Sequence, residues 1–387
     1  MVFPQWGTLL VDSAVQPVAI ATRGFGFQFK KENDNVKINL FRAGGALAAL
    51  VLASAFAVAG EGGRPVLVLT STNNANGNDV VVFSLNTWGA PSLSMVDMLP
   101  TGGNGGAGGN AGAVQFKGNL GAVANYGSNS VSQLVRYDGF IAIGPSIKLS
   151  NGCVNPDSVA LAQEYLFIVG ANCAESHAWP GGNVVGGVVA LNDTSAGQIA
   201  VGNTWAAVTL KSGSVLQLPL TRRGALTGAS TNVTLPGDAN NTPLGAAFWG
   251  DVLGFNPAHS VDSFALVDAN GTVYPVAGPS PSFPTNAPCW LAKGPGSAWY
   301  AGNSPGHAIS IFFSDSQGGA FYKSISLPGV PTDISVSADQ KWLAVIYSAG
   351  GEGYIAVFSI DSYGDLAPVA TSPSVGVTAF NGVAFSQ

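Results

Sequence analysis

Residues 334–360 read ISVSADQKWLAVIYSAGGEGYIAVFSI, and the order of segments in this stretch decides the fold. A short segment of small and apolar residues, ISVS, leads through a turn to a longer apolar one, WLAVIY. A glycine-rich loop follows, then a third, YIAVFSI. Each segment has the length and the β-branched and aromatic content of a strand, and turn residues separate them. The pattern recurs along the chain. Its first segments begin at Ala113 (AVQF), Ser158 (SVAL), Gln198 (QIAV), Gly245 (GAAF), Trp290 (WLAK), Ile334 (ISVS) and Gly382 (GVAF), roughly 45 residues apart. The second segments are LGAVAN, YLFIVG, TWAAVTL, VLGFN, AWYAGN and WLAVIY; the third are SVSQLVR, VVGGVVAL, SVLQLPL, VDSFALV, AISIFF and YIAVFSI. A more polar fourth segment, such as GALTGASTNVTLP or GAFYKSISLP, closes most units. Four short strands per unit of this length are the mark of a propeller blade.

The two ends of the repeat region complement each other. The first unit opens after Arg64 with PVLVLTS and lacks an inner strand, whereas the chain ends on a spare one, NGVAFSQ. Pairing that strand into the first unit removes two exposed sheet edges. The expectation is therefore an all-β, seven-bladed β-propeller of four-stranded blades, its ring closed by the C-terminal strand joining the first blade. A β-solenoid is the alternative, and its rungs need no such exchange.

Composition agrees and excludes some functions. The 387 residues include 52 Gly and 23 Pro, and charged residues are 9%, against about a quarter in an average soluble protein. At 47% apolar the chain is not of the disordered type. The net charge of −6 and scattered arginines argue against nucleic acid, which needs clustered Lys and Arg.

The N-terminal segment reads as an address. Residues 44–60, GGALAALVLASAFAVAG, follow Lys30, Lys31, Lys37 and Arg42 and end on Ala57-Val58-Ala59, the order of a secretory signal. A single membrane anchor is the alternative, since the run is barely long enough to span hydrocarbon. Some forty residues precede it, which suggests a translation start near Val36. Residues 1–59 are thus expected to be an N-terminal extension with a signal, 60–387 the propeller, and the location secreted or periplasmic. Cys153 and Cys173 flank two strands joined by a turn near Ala162-Gln163, so an antiparallel hairpin brings them face to face as a disulfide. Two buried free thiols are the alternative, and Cys289 is left over as a packed residue.

VANYGSNSVSQLVRYDG (123–139), TPLGAAF (242–248), APCWLAKGPGSAWYAGN (287–303) and PTDISVSADQKWLAVIYSAG (331–350) resemble units of the lactonase-like seven-bladed propellers. That family includes 6-phosphogluconolactonase-type and carboxymuconate-cyclase-type members. The resemblance covers most of residues 65–387 and implies the fold and a lactone-directed activity. Asn155-Pro156-Asp157 stands where many relatives carry a His-containing motif, so no catalytic set is carried over.

Propeller topology sorts the ionisable residues by rim. Loops joining strands two and three, and those joining one blade to the next, share the working rim; the remaining turns share the opposite one. His177, His259 and His307 are read into strand-two-to-three loops, with Glu175, Lys211 and Glu352 in equivalent loops. Asp157 and Asp333 precede inner strands, near the mouth of the central channel. Arg136, Arg222, Arg223, Lys117 and Lys341 fall on the opposite rim. A phosphorylated substrate calls for Arg forks or several Lys, so a neutral or weakly charged one is expected.

His177, His259 and His307, with Asp157 or Asp333, are the candidate general base and orienting acid for opening or closing a lactone. The alternative is three solvated loop histidines too far apart to cooperate. Glu175, Lys211, Asn125, Asn303 and Glu352 are candidate substrate-binding residues. No two histidines stand at metal-ligand spacing, so no metal and no cofactor is expected, although a divalent ion suits these side chains.

Gly302-Asn303-Ser304-Pro305-Gly306 matches G-x-S-x-G, yet a strand follows where a nucleophile elbow needs a helix. Residues 101–112, TGGNGGAGGNAG, lack the G-K-[ST] of a phosphate cradle and read as a mobile connection on the working rim. Trp205, Trp290, Trp299 and Trp342 read as packing residues, and Trp179 and Trp249 as packing or sugar-stacking ones.

Two functions follow. One is an exported lactonase-like propeller acting on a small molecule. The other is a non-catalytic propeller that binds a glycan, peptide or protein on the same rim. A monomer with a small-molecule ligand is expected, with no nucleic acid and, after signal removal, no membrane.

Overall fold

The computed structural model describes residues 28–32 and 35–39, and residues 64–387 except 151, 260–263, 275–286, 316–317 and 377–379. The chain divides into two compact units, Met1–Gly62 and Gly63–Gln387. In the first unit Gln28–Glu32 pairs antiparallel with Asn35–Asn39. The apolar run 44–60 lies outside the described residues, and among those described no helix is long and apolar enough to cross a membrane.

The second unit is an all-β propeller of seven four-stranded antiparallel blades. Blade 1 begins at the axis with the C-terminal strand Asn381–Ser386, followed outward by Val66–Ser71, Asp79–Asn86 and Ser92–Pro100. The other six are sequential, with inner strands Val114–Lys117, Pro156–Ala162, Ala196–Val201, Pro243–Trp249, Pro288–Lys293 and Val330–Val336. Ring closure is strongly non-local. Ser71 Oγ donates to the Asn381 carbonyl at 2.7 Å across 310 residues. Arg136, read as a rim turn residue, is a clamp on this closure: its Nε donates to Asp138 O at 3.0 Å, Nη1 to Ser386 Oγ at 3.2 Å, and Nη2 to the Pro65 carbonyl.

Strand composition follows position in the blade. Second strands such as Trp205–Leu210 (WAAVTL) and Ala298–Asn303 (AWYAGN) are buried throughout, because neighbouring blades cover both faces. The outer strand Ser92–Pro100 is mostly exposed. The core is a set of interblade layers: Phe167 and Val169 against Ile199 and Val208 between blades 3 and 4, and Val68 and Phe83 against Ile346 and Val357 between blades 1 and 7. At about 25 cal/mol per Å² of apolar surface, these layers drive closure of the ring.

Blade 3 departs from the segment assignment. Its third strand is Cys173–Ala178 (CAESHA), and VVGGVVAL supplies the two-residue fourth strand Val189–Ala190. CAESHA is polar enough to pass for a loop, yet five of its six residues are buried. The Cys153–Cys173 disulfide forms, with Cα atoms 5.6 Å apart. It joins the loop before the inner strand to the first residue of the third strand, not two positions of one hairpin.

Candidate functional site

Six inner strands begin with a register irregularity at the rim where blades connect, around Gly382, Asp157, Gly197, Leu244-Gly245, Cys289 and Thr332. A bulge leaves a residue outside the ladder and re-aims side chains. Asp157 is such a residue, and Asp333 directly follows another. Both lie at the channel mouth, 6% and 3% exposed.

The two carboxyls differ. Asp333 accepts the Ile334 N–H at 2.8 Å and the Gly112 N–H at 3.2 Å, and also bonds the Val383 N–H. Burial outweighs these donors and pushes it up to about 7. No donor among the described residues is bonded to the Asp157 carboxyl; burial pushes it up to about 6, against the pull of the nearby Lys211 ammonium. Inside the mouth lies an axial cavity of about 250 Å³, walled by aliphatic residues of the inner strands and by Gln115, Gln198, Asp333, Ser335 and Lys293.

The glycine-rich segment is a built part of this mouth, not a loose connection. Along residues 101–106 buried and exposed positions alternate. A Cβ on Gly103 would stand 2.6 Å from Asn125 Cγ, and one on Gly105 2.3 Å from the Asn73 carbonyl carbon, so only glycine lets the segment lie this close. Residues 109–112 then enter the ring axis. Lys211 Nζ donates to Gly109 O at 2.9 Å, Trp290 Nε1 to Asn110 O at 3.2 Å, and Asn381 Nδ2 to Asn110 Oδ1 at 3.1 Å. Asn110 Nδ2 donates to the Asp157 carbonyl, and Ala111 N to Gly197 O at 3.1 Å.

The histidines do not converge on this mouth. His177, read into a loop, is fully buried in the third strand of blade 3. Its Nε2 bonds Glu175 Oε1 at 2.8 Å and its Nδ1 lies 2.9 Å from Gly182 O. Glu175 and His177 share a face because they are two apart on a strand. Burial raises the Glu175 carboxyl, but hydrogen bonds from His177 and Ser150 outweigh it and hold it below its ordinary value. His259 and His307 are exposed in strand-two-to-three loops of blades 5 and 6, and His259 Nδ1 bonds Thr242 Oγ1 at 2.9 Å.

Other candidates are placed as follows. Asn125 and Asn303 are fully buried at the ends of second strands; each donates to a serine seven residues on, Ser132 at 2.8 Å and Ser310 at 2.6 Å. Asn125 Oδ1 also accepts from Asn78 and Thr101, which flank strands of blade 1, so Asn125 ties blade 2 to blade 1. Glu352 is exposed on its rim beside the Tyr354 hydroxyl. Ser304 of the G-x-S-x-G match lies in a turn between two strands and donates to Pro331 O. Trp249 is on the opposite rim, 5.3 Å below the Lys293 ammonium. Among the described residues the closest set of metal-ligand types is Cys153, Cys173 and Glu175, whose sulfurs are joined in the disulfide. Asn110 and Gly112 are the mouth residues that sequence reasoning missed. Six glycines and two asparagines in residues 101–110 signal close backbone approach, though not to what.

No family model matches the chain, and no curated protein is similar to it in sequence. Solved structures are similar in fold. The periplasmic gluconolactonase of Pseudomonas aeruginosa is 15% identical, with 84% of this chain and 99% of that one covered and a TM-score of 0.60. A Desulfotomaculum acetoxidans protein of unknown function is 13% identical over 83% and 99%, with a TM-score of 0.63. A Bacteroides fragilis protein provisionally assigned as a 6-phosphogluconolactonase is 12% identical over 84% and 98%, with a TM-score of 0.60. At these identities the likeness concerns architecture, and architecture does not fix activity. The chain is a seven-bladed β-propeller with the fold of the lactonase-like propellers.

Proposed function

We propose that this protein is an exported lactonase-like enzyme that opens the ring of a small neutral or weakly charged lactone at the channel mouth. One observation carries the reading: the Asp157 carboxyl is buried at the mouth, has no bonded donor among the described residues, and is pushed up to about 6. Such a group is ionised at neutral pH and basic enough to take a proton from water. In the proposed step water attacks the lactone carbonyl carbon as its proton passes to Asp157. The oxyanion of the tetrahedral intermediate faces the Lys211 ammonium. Collapse breaks the ring C–O bond, and the leaving oxygen takes the proton back from Asp157, giving the hydroxy acid.

A neutral substrate fits the available charge. Lys211 is already bonded to Gly109 O, Arg136 is committed to ring closure, and Arg222 and Arg223 stand in a strand-three-to-four turn on the other rim. The exposed His259 and His307 are left as rim residues outside the chemistry. Export rests on the basic and apolar order of residues 30–59 and is tested by sequencing the N-terminus of the protein recovered outside the cytoplasm. A second reading, a binding propeller with no turnover, is favoured by the 109–112 segment filling the mouth.

A pH-stat assay on a panel of phosphorylated and unphosphorylated lactones decides between them. Wild type is expected to act on unphosphorylated members, and Asp157→Asn to lose on the order of 10²–10⁴ in kcat. A His259→Ala/His307→Ala variant is expected to keep its rate. Turnover unaffected by Asp157→Asn, or confined to phosphorylated substrates, overturns the proposal. Folded wild type inactive on the whole panel moves the weight to binding.

A further inference from the structure

The segment 109–112 touches the mouth in an order that a covering loop has no need of. Gly109 O accepts from the Lys211 ammonium, Asn110 Nδ2 donates to the Asp157 carbonyl, and the Gly112 N–H donates to the Asp333 carboxyl. Three groups from blades 4, 3 and 7 are thus tied together by four consecutive residues of the connection between blades 1 and 2. Further contacts seat the segment: Trp290 of blade 6 and Asn381 of blade 1 hold Asn110, Gly197 of blade 4 takes the Ala111 N–H, and the Ala111 side chain packs into the layer between blades 6 and 7. Asn110 and Ala111 are each 2% exposed.

Backbone geometry makes the arrangement specific. Gly109 and Gly112 have φ of 63° and 70°, the left-handed region that favours glycine. A Cβ on Gly112 would also come within 3.1 Å of Ser158 Oγ and 3.3 Å of Gln198 Nε2. Upstream, Asn73 Oδ1 accepts the Gly106 and Ala107 N–H groups at 2.8 and 3.0 Å, while its Nδ2 donates to Ala107 O at 2.7 Å. The segment therefore enters the axis from a fixed point.

We propose that residues 109–112, with Asn110 at their centre, are a positioning segment that closes the ring axis and holds Asp157, Lys211 and Asp333 in one arrangement. A ligand then meets these groups on the rim side of the segment and does not pass down the channel. The inference rests on the reading of the mouth as the site. Asn110 acts through Asp157, whose chain it fixes and whose surroundings it keeps dry; it is a positioning residue, and no atom of it enters the reaction.

The test uses the full chain labelled with ¹³C at aspartate carboxyls, the Asp157 signal being assigned by its loss in Asp157→Asn. In Asn110→Ala, water reaches the mouth, so the Asp157 midpoint is expected to move from about 6 toward the ordinary range near 4. The acid limb of the kcat/KM profile is expected to follow it, with kcat falling more than KM rises. A segment with only a structural role leaves midpoint and profile in place, and that result in folded protein overturns the inference. Should Asn110→Ala not fold, Asn381→Ala removes the blade 1 donor to Asn110 and is read the same way. Amide exchange in the unaltered chain is an independent check: Ala111 and Gly112 are expected to be protected like strand amides, and exchange at the rate of an exposed turn overturns the proposal. A shifted midpoint without lactone turnover keeps the positioning role and removes the lactonase reading. Turnover that depends on Asp157 but ignores Asn110 does the reverse.

Discussion

Asp157 and Asp333 show how far a residue's chemistry depends on what surrounds it. Each is an ordinary aspartate in the sequence, placed before an inner strand; burial at the mouth makes them acids of about 6 and about 7. Both values lie above the unfolded reference near 4, so between them the folded state binds more protons than the unfolded. Their stabilising contribution is complete below about pH 4 and is lost as pH rises through 6 and 7. Urea unfolding is accordingly expected to give a lower midpoint at pH 7.5 than at pH 5. Asp157→Asn should remove its share, at most about 3 kcal/mol at 1.4 kcal/mol per pKa unit; a midpoint that rises steadily across this range contradicts the assignment. Glu175 works in the other direction, since its depressed carboxyl stabilises the fold above its unfolded value and that contribution is lost as pH falls through the depressed one.

At the scale of elements, local chemistry misled in one place and was silent in another. CAESHA looks like a loop because Glu and His rarely enter a buried strand. Their bond to each other, with Ser150 as a further donor to the carboxylate, makes the strand possible. A partner that lies outside the segment's own pattern is invisible to periodicity. The glycine-rich segment hid its role in the same way, since its contacts are with blades 1, 3, 4, 6 and 7. Gly105→Ala is expected to cost about 1–3 kcal/mol through forced backbone shifts, because its Cβ would meet the Asn73 carbonyl. Gly108→Ala, with nothing within 4 Å of an added Cβ, is expected to stay within about 0.5 kcal/mol. Chemical denaturation of the two variants measures the contrast, and equal costs would contradict the close approach.

For the whole molecule, closure of the ring is the decisive event. Val383 and Ala384 are 1% and 3% exposed, and the strand that carries them is the inner strand of blade 1. Deleting residues 381–387 removes that strand, uncovers the edge of Val66–Ser71 and takes away the Arg136 contact to Ser386. Loss of a single cooperative transition by circular dichroism, with aggregation in light scattering, is expected; a truncated chain that melts like the full one would remove closure from the account of stability. Repeat spacing, the missing first inner strand and the spare last one were enough to specify a seven-bladed closed ring, because each is a local strand pattern counted along the chain. The rim sorting of Lys211, His259, His307 and Glu352 was legible too, since strand order fixes which loops share a face. Tertiary structure alone decided that Asn125 and Asn303 are buried, that His177 pairs with Glu175, and that residues 109–112 fill the axis over Asp157 and Asp333. The asparagine and histidine placements rest on specific side-chain bonds that a hydropathy pattern does not encode, and the 109–112 placement rests on contacts between blades far apart in sequence.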